Sequence, residues 1–193
     1  MIKVGLCGTI GSGKSTVCRL FADRGVAIYV ADDRAKELMN TSQPLKEQIV
    51  EAFGAQSYID GALNRPYLAS KIFNNDQNRL LLNSIVHPAV CADFVMWAKE
   101  QKDNYVIVES AILFESGLDN VVDTTIAVVA PKEVALARAA ARDGVSEAEI
   151  EKRMAVQMRP ECLKCRCDFC INNIDLERVK AQVEKIDFFL SNR

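Results

Sequence analysis

The residues best suited to chemistry lie close to the start of the chain. Gly8-Thr9-Ile10-Gly11-Ser12-Gly13-Lys14-Ser15 fits the phosphate-binding pattern G-x-x-x-x-G-K-[ST] without a mismatch. The glycines let backbone N–H groups turn toward phosphate oxygens without Cβ clashes. Lys14 adds a mobile positive charge near the β- and γ-phosphates of a nucleotide, and the Ser15 hydroxyl is a ligand for Mg²⁺. A glycine-rich turn arising by chance would lack the right neighbours. Here Ile2, Val4 and Leu6 alternate with Lys3, Gly5 and Cys7 as a buried strand. Val17, Leu20, Phe21 and Arg24 then follow at helical spacing, with Gly25 as a left-handed cap. Strand, loop and helix therefore aim a helix N-terminus at an anion, and Thr16 extends its hydroxyl-bearing start.

Other groups could complete such a site. Asp32 stands just past a second predicted strand, where a carboxylate could accept a proton from a hydroxyl nucleophile; it could equally cap the helix beginning Asp33-Arg34-Ala35. Arg138 and Arg142 share one helical face, and Arg153 sits on a following helix that Ser146 and Glu149 start as a capping box. Such a hairpin could close over phosphates as a lid, or simply carry solvated arginines. Arg65 suits an anionic substrate or a surface ion pair. His87, the only histidine, precedes Pro88 in apolar surroundings, as a packed histidine also would. Cys162-x-x-Cys165-x-Cys167-x-x-Cys170 suggests a metal site. Yet the two pairs are nearly contiguous, whereas structural zinc knuckles usually lie roughly 15 residues apart, and the segment runs into a predicted strand.

The elements that must hold these groups read as an α/β fold. Strands are predicted at Ile2 to Cys7, Val26 to Val30, Tyr105 to Glu109, Thr125 to Ala130 and Phe169 to Asn172, with helical patterns between them. That alternation predicts a five-stranded parallel sheet. Between Val30 and Tyr105 no strand is evident. Pro44, Gly54, Gly61, Pro66 and Pro88 divide this stretch into helices such as Leu45 to Phe53, Tyr67 to Phe73 and Arg79 to Val86, a helical insertion suited to a second substrate. A helix from Lys132 to Arg142 ends at Asp143-Gly144, and the next runs through Met158.

At 193 residues the chain suits one domain with lobes. A net charge of −2 without a long basic run gives no support for a nucleic-acid partner. The apolar stretches read as shorter than the roughly 20 residues of a membrane span. Seven cysteines and no leader pattern predict reduced thiols in a cytoplasmic protein.

Taken together, these motifs resemble the dephospho-CoA kinases over nearly the whole chain. Ala31-Asp32 falls at a D-A-D-type motif. Leu63-Asn64-Arg65 with Leu68 and Phe73 is similar to L-x-R-x-x-L-x-x-x-x-F, and Leu82 to Pro88 to L-E-x-I-x-H-P. Ile112 to Leu118 resembles L-L-F-E-x-G-L, and Arg138, Arg142-Asp143-Gly144, Arg153, Gln157, Asp168-Phe169 and Asn173 match the lid and final strand. The resemblance implies a P-loop NTPase-like three-layer sandwich, with a substrate lobe over about 31–100 and a lid over about 138–160. It implies transfer of the ATP γ-phosphoryl group to the ribose 3′-hydroxyl of dephospho-CoA, with Mg²⁺. The implied catalytic groups are Asp32, Lys14 and Arg142. Gly11, Ser12, Gly13, Lys14, Ser15, Thr16, Arg138 and Asn173 would hold ATP, Arg65 and His87 the acceptor side, and Ser15 the metal.

The sequence departs from the family pattern in places. Val30 replaces the first Asp of the D-A-D-type motif, Ala27 replaces a proline, and Glu109-Ser110-Ala111-Ile112-Leu113 replaces D-x-P-L-L. A kinase for another acceptor, such as a nucleoside monophosphate or shikimate, is the nearest alternative. A nucleotide-dependent switch would need N-K-x-D and D-x-x-G motifs that the chain lacks.

Overall fold

The computed structural model describes residues 1–73, 75–155 and 157–192. They form two compact units, one of Met1–Tyr29 with Ala98–Arg193 and one of Val30–Trp97.

The first unit holds the sheet. Its strands are β1 (Ile2–Gly8), β2 (Ala27–Val30), β5 (Tyr105–Glu109), β6 (Thr124–Val129) and β7 (Phe169–Asn172), in the order β2-β5-β1-β6-β7. The central pairings β5/β1, β1/β6 and β6/β7 are parallel. All five fall within a residue or so of the segments that alternation and apolar content predict. The register sets the site: Leu6 pairs with Glu109 and Gly8 with Val128, so the ends of three adjacent strands deliver their loops to one sheet edge.

Side chains alternate across the sheet, and helices cover what they expose. Val4, Leu6, Ile126, Val128 and Ile171 pack against Val17 and Phe21 of α1 (Lys14–Ala22) and against Val179, Val183, Ile186 and Leu190 of α9 (Leu176–Ser191). The α9 residues recur at helical spacing, and Val179, Val183 and Leu190 are fully shielded. Each such burial contributes about 1.5–3 kcal/mol before entropy is counted. Cys7, out of phase with Leu6, looks the other way, where α8 (Pro160–Arg166) packs on β1 and β6. The α1 helix ends at Ala22 with Asp23 as its cap; Gly25, at φ 88°, makes the turn after it instead of capping the helix.

Beyond β6 lie α6 (Lys132–Asp143) and α7 (Glu147–Met154). Gly144 ends α6 in the left-handed region, and the Ser146 hydroxyl accepts from the Glu149 N–H. The reciprocal half of the capping box is missing, because the Glu149 carboxylate accepts from Arg153 instead. The α7 helix stops at Met154, short of the predicted Met158, and Pro160 starts α8 afresh. Cys162 and Cys165 therefore lie on a helix and Cys170 on β7.

The second unit carries α2 (Ala31–Thr41), α3 (Gln43–Phe53), α4 (Arg65–Ile72) and most of α5 (Asp76–Glu100). Against expectation it includes a two-residue hairpin, β3 (Tyr58–Ile59) with β4 (Ala62–Leu63), turning through Asp60-Gly61. The helix predicted to end at Val86 continues through Pro88 to Glu100. Pro88 cannot donate to the turn before it, yet Val86, Val90, Phe94 and Ala98 recur every four residues and are all buried. Burial along that stripe outweighs the single lost hydrogen bond. By length and apolar composition α5 would reach across a membrane, which corrects the shorter estimate made from uninterrupted apolar runs. Within the unit, however, its Asp93 is held in an ion pair by Arg34 of α2.

Candidate active site

The phosphate loop is shaped by close backbone contacts. Gly13 takes φ 88° as the N-cap of α1, and a Cβ there would lie 1.9 Å from Asn173 Nδ2. Gly11, at φ 75°, would bring a Cβ within 2.0 Å of the Ala135 carbonyl of α6. Neither position admits another residue without displacing its neighbour.

What the loop presents is a set of donors. Ser12 N–H turns back to the Thr9 carbonyl, and Thr16 and Val17 N–H both bond to Gly13. The N–H groups of Gly11, Gly13, Lys14 and Ser15 have no acceptor among the described residues. Four unpaired donors at the start of a helix form a cradle for an anion. Lys14 Nζ donates to the Gly8 carbonyl at 2.9 Å and lies 3.8 Å from Glu109 Oε1, so its charge is held beside the cradle. The Ser15 and Thr16 hydroxyls are exposed at the helix start. Cys18, one turn further on, has its thiol pushed up to about 12 by burial and then by the Glu109 charge, which makes it a packing residue.

Three supports fix the loop. Asn173, at the end of β7, donates from Nδ2 to the Ser12 carbonyl at 2.8 Å. Gln157 Oε1 accepts from the Ile10 N–H at 2.9 Å. Ile10 also packs against Leu136, Ala139 and Ile150, the small core of the α6/α7 hairpin. Gln157 was legible only as a family match; nothing in its local pattern pointed to Ile10.

The arginines divide. Arg138 Nη1 reaches the Asn173 carbonyl at 3.2 Å, which brings it to the loop. Arg142 does not come there. Its Nε donates to Asp143 Oδ1 at 2.7 Å, and Arg153 binds the same carboxylate at 3.2 Å. The hydrogen bond raises the Arg142 pKa and lowers that of Asp143. Asp143 is a partner the sequence reading missed, although its place between Arg142 and Gly144 was a usable signal.

In the second unit, α2 begins at Ala31, so Asp32 lies within its first turn and Val30 is the N-cap. This removes the capping role for Asp32. Its carboxylate is exposed and has no hydrogen bond or ion pair among the described residues. The helix carrying it is anchored two residues on: Arg34 Nε and Nη2 bind Asp93 at 3.0 and 2.8 Å, and Nη1 reaches Glu37 at 2.8 Å. A separation of 59 residues left the Arg34–Asp93 pair unreadable in the sequence. Arg65, at the start of α4, is exposed and lacks the surface ion pair considered for it, among the described residues. His87 is half-buried within α5, and burial lowers its pKa.

The dephospho-CoA kinase family profile matches residues 2–177. The chain belongs to the dephospho-CoA kinase family. It is 40% identical over 191 residues to a dephospho-CoA kinase from Salinibacter ruber, covering 95% of this chain and 96% of that one. A dephospho-CoA kinase from Porphyromonas gingivalis is 37% identical over 187 residues, covering 96% and 93%. The crystal structure of TT1252 from Thermus thermophilus superposes with a TM-score of 0.83 at 29% identity, covering 97% and 96%. Membership in the dephospho-CoA kinase family makes the chain an ATP-dependent phosphotransferase of the P-loop type.

Proposed function

We propose that this protein transfers the γ-phosphoryl group of ATP to the ribose 3′-hydroxyl of dephospho-CoA, giving CoA and ADP in the cytoplasm. The observation that carries the donor half is the set of four unpaired N–H groups closed by Asn173 and flanked by Lys14. On the acceptor side, the support is family membership and the free Asp32 carboxylate at the head of α2. The seven thiols suit a reducing compartment.

In this reading the loop N–H groups and Lys14 bind the β- and γ-phosphates and draw off charge as the phosphoryl group moves. Arg138 adds a cation beside the loop. Asp32 accepts the proton of the ribose hydroxyl, orienting a weak nucleophile for attack. Arg65 binds an acceptor phosphate, and His87 shapes the acceptor lobe. Arg142 reaches the transferring group only by leaving Asp143, which makes the hairpin a lid. The donor set also fits Mg²⁺: the Ser15 hydroxyl and the Glu109 carboxylate offer the hard oxygens it prefers and would be the residues to hold it. When bound, that ion would neutralise phosphate charge.

The test is ADP release in a coupled assay with purified protein. Dephospho-CoA should support turnover, while shikimate and nucleoside monophosphates should not. Turnover of one of those alternatives without dephospho-CoA activity would overturn the assignment.

A further inference from the structure

Cys7 and Cys167 stand 160 residues apart in sequence, yet their sulfur atoms lie 3.5 Å apart. Cys7 is in β1, immediately before the loop, and is 1% exposed. Cys167 caps the end of α8 in extended backbone and is partly open to solvent. Among the described residues no other pair of the seven cysteines lies in such contact, and the proposed phosphoryl transfer uses neither thiol.

We propose that Cys7 and Cys167 form a reversible disulfide, a peroxide-oxidised switch at the root of the phosphate loop. The hydrogen bond from Cys7 favours the thiolate at Cys167 and outweighs its burial, with Thr125 adding to the effect, while that same contact and burial hold Cys7 protonated. Hydrogen peroxide therefore meets the accessible Cys167 first. Its sulfur attacks one peroxide oxygen, the O–O bond breaks, hydroxide leaves, and a sulfenic acid forms. Cys7 sulfur then attacks Cys167 sulfur; the S–O bond breaks, and the departing hydroxide takes the Cys7 proton as water. In sum, two thiols and one peroxide give one disulfide and two waters, with two electrons passing from sulfur to oxygen.

The sulfurs must close from 3.5 Å to about 2 Å. Both ends of the link lead to the phosphate loop. Gly8, next to Cys7, has no slack, since a Cβ there would lie 2.3 Å from the Val128 carbonyl and 2.6 Å from Ser12 Oγ. Cys167 leads through β7 to Asn173, which holds Ser12. Oxidation thus displaces the cradle from either side, and ATP binding weakens.

The experiment treats the reduced full-length protein with hydrogen peroxide, alkylates remaining thiols under denaturing conditions, maps the linkage by peptide mass, and titrates ATP. Expected are a Cys7–Cys167 cross-linked peptide and a roughly tenfold rise in the ATP dissociation constant, both reversed by dithiothreitol. Cys167→Ser should bind ATP like the parent in reductant and stay unchanged after peroxide, and Cys7→Thr should lose the linked peptide too. Cys170→Ser should still cross-link. The proposal fails if Cys7 stays fully alkylated, if Cys167 instead joins Cys165 or Cys170, or if cross-linked protein binds ATP normally. Linkage and ATP binding are read without an acceptor, so failure here is distinguishable from failure of the dephospho-CoA assignment.

Discussion

Asn173 Nδ2 donates to the Ser12 carbonyl at 2.8 Å in a buried position, joining the last strand to the middle of the phosphate loop across 161 residues. This amide holds the cradle as well as neighbouring it. Asn173→Ala leaves a buried carbonyl unpaired, which costs about 1–3 kcal/mol in stability. The KM for ATP should rise roughly tenfold as the loop shifts. Denaturant unfolding and steady-state kinetics together check this, and an unchanged KM would transfer the role to Gln157 and Ile10.

Two glycines with positive φ should respond differently to alanine. Gly13→Ala places a methyl 1.9 Å from Asn173 Nδ2 and should abolish ATP binding, whereas Gly144 has φ 67° but nothing within 4 Å of the new carbon. Gly144→Ala should lose only about 1–2 kcal/mol from backbone strain and keep its affinity for ATP. Isothermal titration of both variants separates loss of the cradle from local strain.

Asp32 has no partner to lose among the described residues. Asp32→Asn should therefore leave the unfolding midpoint and the ATP affinity unchanged while lowering kcat about 10²–10⁴-fold. Retained turnover with dephospho-CoA would remove Asp32 as the base and leave the family assignment standing.

The Arg34–Asp93 pair should act through the helix that carries Asp32. Arg34→Met and Asp93→Asn, singly and together, should show a coupling of about 0.5–3 kcal/mol in a double-mutant cycle. Their kinetic effect should fall on dephospho-CoA turnover, with the KM for ATP unaltered. A change in the ATP KM alone would contradict this.

His87 and Asp168 contribute to the acid side of stability in different windows. Burial lowers the His87 pKa from its ordinary 6.5. The unfolded chain then binds a proton that the folded one resists, so stability falls as pH drops below that value toward the folded pKa. His87→Gln should flatten the pH 7.5 to 5.5 segment of a urea-unfolding profile. Asp168 titrates lower. Burial alone would raise its pKa, but hydrogen bonds from the Thr125 N–H and the Thr124 and Thr125 hydroxyls hold it below 3.8. Its contribution is present above 3.8 and is lost as pH falls through the lowered value, so Asp168→Asn should alter the profile there and not near pH 6.

The amino-acid sequence by itself determined the five strands, the phosphate loop, the α6 stop at Gly144 and the family. Each of these rests on local spacing: alternation in strands, a fixed glycine–lysine interval, a glycine where the chain needs positive φ. Only the tertiary structure decided the rest. Pro88 reads locally as a helix end, but the buried stripe from Val86 to Ala98 carries α5 through it. Arg138 and Arg142 are equivalent by spacing; the nearby Asp143 takes one, and the Asn173 carbonyl receives the other. Asn173 on Ser12, Arg34 on Asp93 and Cys7 against Cys167 are long-range contacts. No local pattern encodes such pairs, because their geometry exists only once sheet register and helix packing have brought the partners together.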